Sequence, residues 1–576
     1  MRSRNEQNGL ETTVISGTYA ALLSIRITDT NTVNKNDFLG FEIKRDDLTE
    51  NESFPLRGFK YFMASAKKLA PGQLFDTDKH PVQSFFWEDF TIKPAHKYVY
   101  HVIPVYGKPL KLEYGAECQV AVDSEIADGE VHSVYFNRGV AGSVAYSREF
   151  ENKRPDQMTD AEKAKALTWL SRGLEEALLG FIDKAISKKF GIRAAFYEFA
   201  YLPVLEKLQQ AIDSGCDVQI VYDSRAEEVE NDEAIKEAGL KRTLVKGGKT
   251  IHILTPRTKD PQVPSHNKFM VLMDGTNPVE VWTGSTNITD KGIFGQCNVG
   301  HIVKDPKIAG KYFTYWTELQ KDPEINDFKG KVLSGQADIT GIDAFTDDIT
   351  VFFSPREKKD ILITYSAFIE SAEELVCGIF PFSFSKDMKA ALAKASDHLK
   401  YILVDKIGNA GGITKIDGNT VIVNGAFFNK AMFDWLTEIN SGILLNKKPN
   451  PVIGTNYVHN KVLLIDPLGK TPVIIIGSAN FSDASVLTND ENTMVIKGGK
   501  DLRRVADIYF TEFYRIFHQF FVRKATIEIN KDQPTDADAA NNPLHLVTDH
   551  SWVGVFAKDG VKVKMQDLLK KMPLDL

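Results

Sequence analysis

At 576 residues the chain exceeds one ordinary domain, and its 43% hydrophobic and 26% charged residues are those of a globular protein, not a disordered one. With 70 basic against 77 acidic residues the net charge is −7, so no global field gathers nucleic acid, although a local basic groove is compatible with that total. Cys118, Cys216, Cys297 and Cys377 show no CxxC spacing, MRSRNEQNGLETT has no apolar leader, and no run reaches the roughly 18 apolar residues of a membrane helix; this argues against structural zinc, a disulfide framework and stable membrane insertion, and for a cytoplasmic protein.

Residues 1–150 read as all-β. The runs ALLSIRI (21–27), FLGFEIKR (38–45), KYVYHVIPVYG (97–107) and ECQVAVD (117–123) are separated by turns rich in Asn, Asp, Gly and Pro. In the third run Tyr98, Tyr100 and Val102 share one face, as a period of two requires. Strands at this spacing predict a β-sandwich, with FFWEDF (85–90) as a core strand.

From about 158 the pattern turns helical. MTDAEKAKALTWLSRGLEEALLGFIDKA predicts a helix with Thr159 as N-cap and Glu162 at the capping-box position. IRAAFYEFA, PVLEKLQQAIDSG and DVQIVYD follow as strand, helix and strand, which implies a parallel sheet covered by helices. The charged stretch 225–242 reads as a solvated helix. The same order returns as ITVFFS, a helix near 358–373, ELVCGIF, a helix near 386–396 and LKYILVD. The expected division is a β-sandwich over 1–150, one lobe over 151–330, a linker over 331–348, a second lobe over 349–530, and a flexible connection with a terminal segment over 531–576.

The two halves share one motif. His266-Asn267-Lys268 leads through apolar residues to Asp274, and Gly284-Ser285-Thr286-Asn287 follows. His459-Asn460-Lys461 leads likewise to Asp466, then Gly477-Ser478-Ala479-Asn480. In both, the histidine precedes the Gly-Ser pair by 18 residues, and the copies lie 193 residues apart, which indicates a duplicated domain. On a strand, His-x-Lys turns both side chains to the same face. Each half thus supplies an imidazole, an ammonium and an amide. Two halves facing each other would surround a tetrahedral phosphate with positive charge and put one histidine on each side. Because both sets lie in one chain, a monomer suffices.

This doubled pattern resembles the phospholipase D superfamily over roughly 160–525, and KYVYHVIPVYG resembles a late strand of a fibronectin type III domain. The resemblance implies an α/β fold: two pseudo-twofold-related lobes with mixed, mainly parallel sheets flanked by helices, preceded by the all-β sandwich. It also implies metal-independent attack of a histidine on phosphorus, a phosphohistidine intermediate, and no cofactor. Lys268, Lys461, Asn287 and Asn480 would hold the non-bridging oxygens, with Ser285 and Ser478 as lesser contacts. In relatives, groups downstream of the motif reach across to the opposite histidine. By that resemblance Glu491 orients His266, while Asn298 or Gln296 touches His459, which makes His266 the nucleophile and His459 the general acid and base. The first copy departs from the pattern: Met273 holds the in-register place and Asp274 falls one residue late. The equal His-to-Gly spacing predicts a local bulge there.

His252 and His301 alternate with apolar residues and read as strand positions near the site; His96, His101 and His132 belong to the β region. No HExxH or clustered Cys/His/Asp spacing indicates a metal. The expected substrate is a phosphodiester, with a phospholipid favoured by the apolar segments GIFPFSF (378–384) and AFFNKAMFDWL (426–436). An endonuclease using the same mechanism is the alternative, with LVKGGK (244–249) as its hint of a basic groove. A third reading, an inactive binding scaffold, is opposed by two intact His-Lys-Asn sets.

Overall fold

The computed structural model describes residues 1–32, 37–65, 73–139, 146, 149–151, 153, 155–225, 229–260, 262–333, 341–405, 407–411, 413, 418–424, 458–531 and 545–574. The apolar segment at 426–436 and the connection at 532–543 lie outside them.

Two antiparallel sheets form the N-terminal region. Arg2–Gln7, Leu10–Ser16, Ala21–Ile27 and Phe86–Asp89 make one; Phe38–Asp47, Glu52–Pro55, Lys97–Lys108, Lys111–Tyr114 and Cys118–Asp123 make the other. Alternation is clearest in the last strand, where Cys118, Val120 and Val122 are buried and the residues between them exposed. Their inward faces join Tyr98, Tyr100, Val102, Phe85 and Phe86 in one core. The C-terminal helices Ser551–Ala557 and Gly560–Lys571 close that core. The Trp552 ring lies 5.1 Å from Phe85 and 5.4 Å from Phe38, and Phe556 lies 4.7 Å from Phe85.

Two further sheets have seven strands each among the described residues, in matching order. The first runs His132–Phe136, Val299–Val303, Asn277–Gly284, Lys268–Asp274, Gly191–Phe196, Val218–Asp223, Leu254–Arg257. The second runs Ile349–Ser354, Glu491–Ile496, Val473–Gly477, Val462–Ile465, Leu375–Phe380, Leu399–Val404, Thr420–Asn424. Both are mixed, but the expectation of mainly parallel pairing does not hold. Only the last three strands of each run parallel, because the motif strand and the Gly-Ser strand form an antiparallel hairpin.

Three elements differ from the sequence reading. His132–Phe136 is the edge strand of the first lobe, at the place that Ile349–Ser354 takes in the second. The helix beginning at the Thr159 capping box stops at Ser171, and a second one, Leu174–Lys188, follows. Arg172 and Gly173 between them are left-handed, and the Arg172 side chain turns to a buried carboxylate, Glu512, at 2.6 Å. The helix Ile325–Leu333 runs from the first lobe into the stretch expected as linker, and its Phe328 is fully buried 5.4 Å from the Tyr315 ring.

One helix, Leu502–Lys531, packs against Leu10–Ser16 of the sandwich, His132–Phe136 of the first lobe and Leu375–Phe380 of the second. Its Asp507 takes Arg2 at 2.7 Å, and its Glu512 takes both Arg172 and Arg515. Among the described residues, no helix is long and apolar enough to cross a membrane.

Trp552→Ala is expected to cost about 3–5 kcal/mol of stability, since it would leave a cavity where the ring packs on Phe38 and Phe85. Urea unfolding checks this; a loss below about 1 kcal/mol would mean that the terminal helices do not hold the sandwich.

Candidate active site

Each motif histidine stands just before a central strand of its sheet, Lys268–Asp274 or Val462–Ile465. The neighbouring strand ends at the motif glycine. A Cβ on Gly284 would lie 2.3 Å from the Val299 carbonyl oxygen, and one on Gly477 equally close to that of Asn492. Only glycine therefore lets the next strand pass at this depth.

The lobes meet at these loops. The His459 N–H donates to the Cys297 carbonyl at 3.3 Å, and the Asp490 N–H donates to the Pro264 carbonyl at 3.2 Å. Cys297 and Asp490 each precede a residue that crosses the seam. Glu491 Oε2 lies 2.9 Å from His266 Nδ1, and Asn298 Oδ1 lies 2.9 Å from His459 Nδ1. Each lobe thus completes the other's imidazole. Lys268 Nζ donates to the His266 carbonyl and Lys461 Nζ to the His459 carbonyl, both at 2.7 Å, which holds each ammonium beside its histidine. Asn267 and Asn492 tie the seam behind the site: Asn492 Nδ2 donates to Asn267 Oδ1 at 2.9 Å, and the Thr283 hydroxyl donates to Asn492 Oδ1 at 2.7 Å.

Burial pushes His459 well below the ordinary imidazole value, and Lys461, Lys268 and His266 push the same way. His266 is also lowered by burial, but Glu491 opposes the shift. Lys461 is pushed well down by burial and by Lys268, against Glu491 and Glu198. Burial would raise Glu491, yet His266 and Lys268 hold it below the usual carboxyl range. The pattern is that of a dry site with more cationic than anionic groups, which a bound anion would relieve.

The family model for "Cardiolipin synthase, PLD-like domain" matches residues 181–319 and 368–516, half of the chain in two stretches that each hold one motif. The chain belongs to the phospholipase D-like family. No curated protein matches its sequence. Solved structures similar to this phospholipase D-like chain include the phosphatidylserine synthase of Haemophilus influenzae Rd KW20, at 12% identity and TM-score 0.38 over 69% of this chain and 94% of that one. Yeast tyrosyl-DNA phosphodiesterase matches at 13% identity and TM-score 0.27, over 53% of this chain and 82% of that one. The polyphosphate kinase of Porphyromonas gingivalis matches at 12% and 0.32 over 55% of this chain, which spans only 44% of the kinase.

Other residues of the phospholipase D-like motifs lie at varied distances from the seam. Ser285 and Ser478, expected as phosphate contacts, donate instead to Asn298 at 2.8 Å and Glu491 at 2.7 Å, and so orient the groups that cross over. Gln296 is buried nearby, its carbonyl taken by Asn137. Asp466 stands five residues beyond Lys461, roughly 16 Å along the strand, and accepts from the N–H groups of Glu373, Glu374 and Leu375. It pins a turn. The register of the first hairpin shifts between Leu272 and Met273, which leaves Asp274 exposed at the strand end. The buried amide oxygens of Asn287 and Asn480 have no hydrogen-bond partner among the described residues; a half-turn of the Asn480 amide would aim donors there instead, whereas the Asn287 amide is held by its bond to Glu198.

Some neighbours of the site escape the motif. The Tyr197 ring lies 4.8 Å from that of His266, with Lys268 Nζ 5.0 Å from its centre. Glu198 accepts from Asn287 Nδ2. In the second lobe Phe382 is exposed, 5.9 Å from Lys461 Nζ. Tyr197 and Glu198 follow Gly191–Phe196, and Phe382 follows Leu375–Phe380, the matching strands of the two lobes, at the C-terminal end that is the usual ligand side of a parallel unit, which is the signal that marks them. Away from the seam, His132 Nδ1 meets His301 Nε2 at 2.8 Å, and His301 Nδ1 meets the Tyr509 hydroxyl at 3.0 Å. His252 lies in the exposed hairpin Thr243–Lys246 and Lys249–His252. Among the described residues the one His/carboxylate group that could hold a metal ion is Asp47, Glu50 and His96, in the sandwich.

Burial holds His266, His459 and His301 below the value they take unfolded, and His132 is held down to about 4. The unfolded chain therefore binds more protons below about pH 6.5, and stability falls as the pH drops from there towards 4. The slope is about 1.4 kcal/mol per pH unit for each such histidine. Unfolding midpoints at pH 7 and pH 5 test this; equal stability at both would contradict it.

Proposed function

We propose that the protein is a metal-independent phosphodiesterase of the phospholipase D type, with His266 as nucleophile and His459 as general acid and base. The reading is carried by the crossed pairing at the seam, where a carboxylate backs one histidine and a neutral amide the other. His266 Nε2 attacks phosphorus, the P–O bond to the leaving alcohol breaks, and His459 gives its Nε2 proton to that oxygen. His459, now neutral, takes a proton from water; the hydroxide attacks phosphorus, the P–N bond breaks, and a phosphomonoester leaves. Glu491 stabilises the positive phosphohistidine, which Asn298 could not do for His459. Lys268, Lys461, Asn287 and Asn480 hold the non-bridging oxygens. Burial and the neighbouring lysines favour the neutral form of His459; a phosphate anion between the lysines would raise its pKa and make it an acid when substrate is bound.

A phospholipid is the favoured substrate, supported by the exposed Phe382 beside Lys461. An endonuclease is the second reading, supported by the exposed lysine-bearing hairpin around Lys249. Bis(p-nitrophenyl) phosphate in EDTA is expected to be hydrolysed, with a loss of about 10³-fold or more in both His266→Ala and His459→Ala. Trapped phosphate should lie on His266; finding it on His459 would reverse the roles. A nuclease would weaken steeply with salt and prefer DNA or RNA, whereas phosphatidyl substrates in vesicles should win if the lipid reading holds.

A further inference from the structure

Beside the His266–Glu491 pair lies a second contact between the lobes that the phosphodiesterase reading does not use. Arg257 is buried at the end of Leu254–Arg257 in the first lobe. Its Nε donates to Asp490 Oδ2 at 3.0 Å, and a terminal nitrogen donates to Asp322 Oδ1 at 2.6 Å and to the Pro323 carbonyl at 2.8 Å. Asp490 belongs to the second lobe, is 1% exposed, and immediately precedes Glu491. Its N–H is bound to the Pro264 carbonyl, two residues before His266. Glu491 is therefore reached through a residue gripped by the lobe that it serves.

We propose that Arg257 is a positioning residue: it neutralises Asp490 and clamps the start of Glu491–Ile496 to the first lobe, so that Glu491 meets His266 and His266 feels one carboxylate, not two. The inference rests on the reading of His266 as the reactive histidine. Its charges can be followed around the site. Glu491, Lys268 and Lys461 face His266, which itself bears on His459. Arg257 and Asp223 face Asp490, and Asp223 is paired with Arg225 at 2.9 Å. Burial pushes the Asp490 carboxyl up, and the Arg257 charge opposes this; Asp490 and Asp322 in turn keep Arg257 charged against its own burial. The matching position in the other copy is Cys297, whose thiol turns to the Gly139 carbonyl, so this ionic clamp serves the His266 side.

The test is the pH profile of bis(p-nitrophenyl) phosphate hydrolysis, whose acidic limb in kcat, where the bound anion has raised His459, reports the imidazole that must be neutral to attack. Arg257→Met leaves the buried Asp490 charge uncompensated, which raises the His266 pKa. The limb should move up by on the order of one pH unit, and kcat should fall about 10-fold with KM within about 2-fold. Asp490→Asn removes a negative charge near His266 while Arg257 stays paired with Asp322, and should move the limb down. Arg257→Lys keeps the charge and loses the fork; its limb should stay near that of the unaltered protein while kcat falls. Opposite shifts are not what a merely structural role yields. A limb that stays in place in Arg257→Met or Asp490→Asn, or moves the same way in both, overturns the proposal. If Arg257→Met does not fold, Asp490→Asn and Arg257→Lys carry the test by the same shifts. His266→Ala separates the two levels: if it keeps full activity, the reading of the site fails; if it is dead while the limbs do not move, only the role of Arg257 fails.

Discussion

Two ammonium groups and two imidazoles are buried together at one seam, and that concentration of potential positive charge is the constraint on the rest of the molecule. Burying such groups costs several kcal/mol each unless partners compensate. Here the compensation is exchanged: Glu491 of the second lobe goes to His266, and Asn298 of the first goes to His459. Neither lobe holds its own imidazole in place. The site therefore exists only when the lobes are docked in one register, within the few tenths of an ångström that a hydrogen bond tolerates.

What holds the docking is correspondingly rigid. Behind the site, Tyr312 and Tyr315 of the helix Pro306–Leu319 pack on Phe353 of the second lobe at 5.0 and 4.4 Å. Further out, Leu502–Lys531 touches the sandwich and both lobes, with Asp507 and Glu512 buried against arginines from elsewhere in the chain. Buried ion pairs are a poor source of net stability, but removing one partner is expensive, so they penalise a misplaced helix heavily. The sandwich then has a physical role that needs no ligand. It supplies one wall for that helix, and the terminal helices seal its open core with Trp552 and Phe556.

The site was legible in the sequence where the duplication repeats it. The resemblance to the phospholipase D superfamily points to Glu491 and to Asn298 or Gln296 as the groups that cross over, and the shared His-to-Gly spacing predicts a bulge near Asp274, which the register shift at Leu272–Met273 supplies. Legibility ends where the copies differ or where distant contacts decide. Arg257 and Asp490 escape because Asp490 is matched by a cysteine, so comparison of the halves masks it. The break at Arg172 and Gly173 escapes because a helical pattern runs through it, and the carboxylate that draws Arg172 aside comes from Glu512, far along the chain. His132–Phe136 is five residues long, and no local feature says which sheet a short strand will join.

On the proposed phosphodiesterase reading, the differences between the halves bear on how one site would perform two half-reactions. A perfectly symmetric pair would give both histidines the same basicity and leave the order of attack and protonation undetermined. In this chain the departures from symmetry gather on one side: a carboxylate rather than an amide behind the imidazole, and an Arg257–Asp490 pair where the other copy has a thiol. On the other side burial and two lysines depress His459, and among the described residues no carboxylate lies directly on its ring. The first arrangement suits a group that becomes permanently positive when phosphorus bonds to it. The second suits a group that is protonated only while an anion lies between the lysines and gives that proton up readily. On that reading duplication supplied two equal sets of tools, and a few substitutions outside the repeated motif would be enough to assign them different tasks.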